Sequence, residues 1–358
     1  MADLTPFLIA PDVTARDAMA CIDRNQKGVA LVVDGDRRLI GTVTDGDIRR
    51  ALLAGLDLEL PVDTLLRRNS AEGHPTPVTA DPRSSDADRL AIMTRHDVRH
   101  LPIVDEHGIL VHLTLLSDLV KELQLPVRAL VMAGGYGTRL RPLTADVPKS
   151  MLPIGDRPLL EHIVRQLHEA GIRRVNFATH YRADVIERHF GDGRDFDVDI
   201  EYVNEDRPLG TAGALSLMAR SHEPLLVING DIFTRVDFPA MVDFHRSNRA
   251  DMTVAVRQYE VEIPFGVVET DGVRITGVSE KPVLREFINA GIYLLNGDVC
   301  GLLAQGEPYH MTDLIGRLVA EGRRVISFPI REYWVDIGRS EDYERALVDA
   351  AKAPGGKP

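Results

Sequence analysis

Residues 128–144 read R-A-L-V-M-A-G-G-Y-G-T-R-L-R-P-L-T, and Pro148-Lys149 follows closely. Arg128 to Ala133 is a short apolar run of the kind that forms a buried strand, and it ends in glycines. Glycines directly after a strand let backbone N–H groups approach phosphate oxygens with no Cβ in the way. Ala133, Gly134, Gly135, Gly137 and Thr138 therefore form a candidate nucleotide-binding turn. Arg139 and Arg141 add charge that does not titrate away, in a fork that matches phosphate oxygens. Lys149 brings an ammonium back toward the same place. The spacing G-G-x-G is not the dinucleotide fingerprint, and a lysine after proline is not a Walker loop.

Downstream, strands and helices alternate, which predicts a mainly parallel sheet with crossover helices. Leu159, Leu160, Ile163, Val164 and Leu167 mark one face of a helix over 158–170, with Pro158 in its first turn and Gly171 at its stop. Strands are expected at 174–179, 197–203, 225–228 and 288–295, and helices at 183–190, 211–220, 312–321 and 340–350. Asp271-Gly272 between 266–269 and 273–278 is a hairpin signal.

Upstream of Pro126 the pattern is different, because one unit occurs twice. Strand 29–33, a turn at Asp34-Gly35-Asp36, strand 39–44 and a helix opening at Asp47 are matched by 101–104, the turn 105–108, 109–114 and a helix near Ser117-Asp118. A helix precedes each strand pair, at 15–24 and 86–96. The predicted domains are thus a tandem module over 1–123 (units of about 8–58 and 61–123), an α/β domain over 126–350 and a disordered tail from 351.

The net charge of −12 gives no basic footprint for nucleic acid, although a nucleotide needs only a few local cations. Cys21 and Cys300 are too few and too far apart for a disulfide framework or a metal site, which fits a reducing cytoplasm. Met1 to Ala10 lacks the basic start and apolar core of a signal peptide, and no stretch has the apolar length of a membrane span. A cytoplasmic homo-oligomer without membrane or nucleic-acid partners is expected. His96, His100, His107 and His112 cluster in the second repeat without compact ligand spacing, so they read as ordinary histidines.

The glycine loop followed by P-K-S-M-L-P-I resembles the signature of the sugar-1-phosphate nucleotidyltransferase family. The likeness continues through L-G-T-A-G-A-L (209–215), N-G-D (229–231), F-G-V-V (265–268), E-K-P (280–282), N-A-G-I-Y (289–293) and W-V-D-I-G (334–338), in family order over about 127–350. The resemblance implies a Rossmann-like mixed-sheet α/β fold and in-line attack of a sugar-phosphate oxygen on the α-phosphorus of a nucleoside triphosphate. It implies that Asp231 and Asp336 hold Mg2+, that Arg139 and Lys149 are catalytic through the triphosphate, and that Gly210, Thr211, Ala212 and Gly213 line the nucleotide. It places Glu280, Lys281 and Asn289 on the sugar phosphate. A regulatory relative without activity would be expected to lack Arg139, Lys149, Asp231 or Asp336, and all four are present.

Within that family the two glycine motifs look closest to guanylyltransferases, including those acting on mannose 1-phosphate. The layout resembles the glucosamine-1-phosphate guanylyltransferases of legionaminic acid biosynthesis, so GTP and a hexose or hexosamine 1-phosphate are the expected substrates. The segment G-T-V-T-D-G-D-I-R-R (41–50) resembles a CBS motif, and the tandem module is read as an α+β CBS pair. That resemblance implies that Thr44, Asp47 and, in the second copy, Asp118 bind an adenine nucleotide. Leu115 stands where the first copy has Thr44, so the second half departs from the pattern.

Overall fold

A computed structural model describes residues 3–71, 77–119, 124–219 and 221–351. Ala351, expected to open the tail, ends the last helix instead, and the rest of the tail lies outside the described residues. The chain divides into two compact units, Met1–Leu123 and Gln124–Pro358.

In the first unit, Val29–Val33 pairs antiparallel with Leu39–Thr44, and His100–Val104 with Leu110–Leu115. The turns of the two repeats bind each other: Leu39 N–H donates to Gly108 O and Leu110 N–H to Arg37 O, each at 3.0 Å. Val29, Leu31, Val33, Leu110, Leu113 and Leu115 share one core, so strands of both repeats pack into a single hydrophobic layer. Helices Ala15–Asn25, Asp45–Leu53 and Asp86–His96 each begin with a capping box, from Thr14, Thr44 and Ser85. The helix of the second repeat spans only Leu116–Leu119 among the described residues, and Leu115 before it has no side-chain oxygen to cap with.

The second unit is built on a seven-stranded sheet. In chain order its elements are β1 Arg128–Met132, α1 Leu159–Glu169, β2 Arg174–Thr179, α2 Ala183–Phe190, β3 Asp199–Asn204, α3 Gly210–Gly213, β4 Leu225–Asn229 and β5 Ile232–Thr234. They continue as α4 Phe238–Ser247, β6 Met252–Glu262, β7 Val267–Asp271, β8 Arg274–Ser279, β9 Val283–Leu295, α5 Met311–Ala320, β10 Val325–Pro329, β11 Trp334–Asp336 and α6 Ser340–Ala351. The strand order is β3-β2-β1-β4-β9-β6-β10. β3, β2, β1 and β4 are mutually parallel, β9 runs against both β4 and β6, and β10 runs parallel to β6. This is the expected mixed-sheet α/β class. The C-terminal ends of β1, β2, β3 and β4 lie along one edge, where open α/β sheets place their ligands. α1 buries Leu159, Leu160, Ile163, Val164 and Leu167, as its periodicity predicts.

α4 and β6 are not anticipated by the sequence reading, and two expected elements differ from it. The helix expected over 211–220 is a single α-turn, Gly210–Gly213, followed by a 3-10 turn, Ala214–Leu217. Ser216 Oγ donates to Gly213 O at 2.7 Å, so a side chain competes for a carbonyl that a longer helix would use. Residue 220 lies outside the described residues. The strand expected at 288–295 begins at Val283, and with β6 it forms a ladder reaching to Glu262↔Val283. The β7/β8 hairpin is inserted at its end. Apolar side chains are exposed along this arm, among them Phe265, Ile275 and Val278.

Candidate active site

β1 delivers the glycine loop to the ligand edge of the sheet. Ala133 N–H donates to Ala178 O at 2.8 Å, so that amide belongs to the sheet. Gly134 lies against His180, whereas a Cβ on Gly135 would meet open space. Gly137 has φ +60°, and a Cβ there would stand 2.9 Å from Thr144 and 3.1 Å from Lys149 Cβ. Thr144 Oγ1 donates to Gly137 O at 2.7 Å. The loop is therefore folded back onto the segment that carries Lys149. Thr138, Arg139 and Arg141 are exposed around the 3-10 turn Thr138–Leu140, and Lys149 is buried at the start of another, Lys149–Met151.

Asp231 follows β4. Gly230 N–H donates to Met132 O at 2.9 Å, and a Cβ on Gly230 would stand 2.7 Å from that oxygen. Only glycine lets the chain pass so close to β1, and this passage sets Asp231 beside the glycine loop. Asp336 comes from the far end of the chain. β5 and β11 pair antiparallel with Ile232 opposite Asp336, and Ile337 N–H donates to Asp231 O at 3.0 Å. Trp334 Nε1 donates to Ala290 O at 2.9 Å, which ties the W-V-D-I-G strand to the N-A-G-I-Y strand.

The side chains converge on Lys149. Its Nζ donates to Asp231 Oδ2 at 2.6 Å and lies 4.0 Å from Asp336 Oδ1. Burial and the neighbouring charge of Asp231 push the Asp336 carboxyl up, while Lys149 and Arg139 pull it down. Arg139 Nη1 and Asp336 Oδ1 stand 3.8 and 3.6 Å from the place a Cβ on Gly338 would take. Two carboxylates and two cations thus share one end of the sheet. Among the described residues no group of three or more His, Cys, Asp or Glu is arranged to hold a metal ion, and the four histidines of the second repeat form no such group. A pair of carboxylates already closed around a cation suits a hard ion that completes its shell with phosphate and water.

The remaining predicted residues lie at different distances from this centre. Thr211 Oγ1 accepts from Met311 N–H at 2.9 Å, and Ala212 N–H donates to Tyr309 O at 3.0 Å, so both serve to seat the start of α5. Gly210 has φ +77°, and Gly213 is buried beneath the turn. Glu280 and Lys281 are exposed after the β7/β8 hairpin, and Lys281 has φ +45°, which costs a non-glycine residue about 1–2 kcal/mol. Asn289 Oδ1 accepts from Gly291 N–H at 2.9 Å. In the first unit, Thr44 and Asp47 cap the helix they begin, and Asp47 Oδ1 pairs with Arg50 at 2.6 Å. Asp118 Oδ2 accepts from Leu115 N–H at 3.4 Å.

One further residue stands out in the structure alone. Glu205 follows β3 at the ligand edge; its N–H donates to Thr179 O at 2.9 Å, and its carbonyl lies 2.7 Å from His180 Nδ1. His180 Nε2 is 2.9 Å from the hydroxyl of Tyr136, in the glycine loop. Glu205 Oε1 is buried without a hydrogen-bond partner among the described residues; burial raises its carboxyl, while a backbone hydrogen bond from Leu209 and the neighbouring His180 pull it down. A buried acceptor without a partner is costly and calls for a donor.

Comparison with known proteins identifies both units. A family model described as nucleotidyl transferase matches residues 128–353, and a CBS domain model matches residues 2–54 and 74–125. A mannose-1-phosphate guanylyltransferase of Mycobacterium tuberculosis is 37% identical over 234 residues, covering 63% of this chain and 65% of that protein. A mannose-1-phosphate guanyltransferase of Schizosaccharomyces pombe is 33% identical over 227 residues, covering 61% and 62%. The chain spans just under two thirds of the length of these curated relatives. A solved Bacillus anthracis protein, provisionally assigned as a glucose-1-phosphate thymidylyltransferase and determined with sucrose, has 26% identity and a TM-score of 0.53, covering 64% of this chain and 98% of its own.

Proposed function

This chain belongs to the nucleotidyl transferase family, and from that membership we propose that it transfers a nucleotidyl group, from GTP, to a hexose or hexosamine 1-phosphate. The observation that carries the reading is the convergence of Asp231, Asp336, Lys149 and Arg139 at the ligand edge of the sheet. Both substrates are anions, so positioning and charge neutralisation are the chemistry required. A phosphate oxygen of the sugar 1-phosphate attacks the α-phosphorus in line. The bond from α-phosphorus to the bridging oxygen breaks, and pyrophosphate leaves with its electron pair. The attacking oxygen is already ionised, so no general base is needed. Asp231 and Asp336 would hold Mg2+, which supplies charge neutralisation for the triphosphate. Arg139 binds the departing phosphates and steadies the charge that builds on them. Lys149 would bind the α-phosphate region, Glu280 would accept hydrogen bonds from sugar hydroxyls, Lys281 would hold the phosphate of the sugar 1-phosphate, and Asn289 would line the same site.

Guanine is supported by Glu205. A carboxylate accepts the two adjacent donors, N1–H and the N2 amino group, that only guanine carries on its pairing edge. The relatives in M. tuberculosis and S. pombe bear names of mannose-1-phosphate enzymes, which makes mannose 1-phosphate the second reading beside glucosamine 1-phosphate. A matrix of GTP, UTP, CTP and dTTP against hexose and hexosamine 1-phosphates, read by released pyrophosphate, tests both halves. Preferred turnover of another nucleotide would remove the guanylyl assignment, and no turnover anywhere in the matrix would remove the enzyme. An adenine nucleotide at the CBS pair would have to compete with the cap and with Arg50 for Thr44 and Asp47. Calorimetry of the full chain with AMP, ADP and ATP decides between a nucleotide sensor and a structural module.

A further inference from the structure

Between Asp231 and Asp336 the structure places a cation that belongs to the chain itself. Lys149 Nζ is 2.6 Å from Asp231 Oδ2 and 4.0 Å from Asp336 Oδ1. Lys149 is buried, and its stem packs at the folded-back glycine loop beside Gly137. Its ammonium therefore has a short choice of partners, and it takes the carboxylates proposed above to hold the metal.

The charge balance of this group disfavours a bare metal ion. Asp231 and Asp336 carry two negative charges, and Lys149 and Arg139 carry two positive ones; Asp342, whose charge also reaches Asp336, is paired with Arg345 at 3.2 Å, so the group is balanced. A bare divalent ion entering this place adds two positive charges beside two existing ones and is repelled by them. A divalent ion bound to a nucleoside triphosphate brings net negative charge instead, together with phosphate oxygens that can take over the displaced ammonium.

We propose that Lys149 is a placeholder for the divalent cation: it keeps the two carboxylates together in the substrate-free protein, opposes uptake of the free metal ion, and yields when the metal arrives on a triphosphate, onto which its ammonium then turns. Lys149 is in this sense a positioning residue for the acidic pair before it is a phosphate ligand. The identity of the phosphate ligand rests on the nucleotidyl-transfer reading; the exchange of one cation for another does not.

The test is binding of Mn2+ alone, followed by its paramagnetic resonance signal, to the full chain and to Lys149→Met and Lys149→Arg. Lys149→Met is expected to bind Mn2+ at least tenfold more tightly than the unsubstituted protein. Lys149→Arg keeps the charge and is expected to bind it as weakly as the unsubstituted protein. With a non-hydrolysable GTP analogue present, the Mn2+ affinities of the unsubstituted protein and Lys149→Met are expected to converge or reverse. The proposal is overturned if Lys149→Met takes up free Mn2+ no more tightly, or if Lys149→Arg takes it up as tightly as Lys149→Met. Should Lys149→Met fail to fold, tight uptake of free Mn2+ by Lys149→Arg alone would overturn it, and weak uptake would support it. Convergence with an analogue of another nucleoside triphosphate but not with the GTP analogue would count against the guanylyl reading instead, and convergence with neither would overturn the exchange.

Discussion

Replacing Glu205 with glutamine changes one buried oxygen to an amide with almost no change of shape. Glu205 Oε1 has no partner among the described residues, and burial already holds its carboxyl above the usual range. Guanine would supply two donors to this group, and a hydrogen bond to a charged acceptor is worth about 1.5–3 kcal/mol. Glutamine keeps one acceptor and turns a donor toward a donor. At 1.36 kcal/mol per tenfold, the loss in kcat/KM for GTP is expected to be about 10- to 150-fold. Inosine triphosphate, which lacks the N2 amino group, should lose less. UTP and dTTP, whose pairing edge offers both a donor and acceptors, should gain relative to GTP. The assay is pyrophosphate release at saturating sugar 1-phosphate across these nucleotides. An equal fall for every nucleotide, or no change for GTP, would refute the reasoning, since Glu205 would then be structural or idle.

Four other outcomes are expected. Arg139→Ala should lower kcat by about 10²- to 10³-fold, as loss of a preorganised charge stabiliser does, with an unchanged melting curve because Arg139 is exposed. Asp231→Asn or Asp336→Asn should leave pyrophosphate release near background at Mg2+ levels that saturate the unsubstituted protein, and chelation of divalent ions should silence the latter. Gly230→Ala should destabilise the second unit by about 1–3 kcal/mol in chemical denaturation, because its Cβ would meet Met132 O at 2.7 Å. In the first unit, His100 Nε2 lies 2.7 Å from Lys27 O, and burial pushes the ring down to about 4 from 6.5. Its neutral form is the one the fold prefers, so its contribution is intact above pH 6.5 and is lost as pH falls toward 4. Thermal scans between pH 7 and 5 should show the first unit losing stability, and His100→Gln should flatten that slope.

The sequence discloses the glycine loop, N-G-D and W-V-D-I-G because their chemistry is local: a strand, a turn and charged side chains within a few positions. It does not disclose how Asp231 and Asp336 meet. The two strands that join them are three residues each, too short for any periodic signal. The length of the β6/β9 arm is hidden for a related reason: outside the body of the sheet neither face of those strands is buried, so no alternation marks them. Thr44 and Asp47 show the limit of a motif. A threonine followed three residues later by an acid is also a capping box, and here it acts as one. Glu205 has no distinguishing neighbour in N-E-D-R-P; only its burial and its unshared oxygen single it out.

The short β5/β11 pairing has a consequence for how such a protein tolerates change. Everything between Thr234 and Trp334 departs from this clasp and returns to it. Insertions or deletions in that long excursion can reshape the sugar side without retuning the acidic pair, provided the three rungs close in the same alignment. A slip of a single rung would carry Asp336 to the opposite face of its strand and disarm the centre, with every side chain still present.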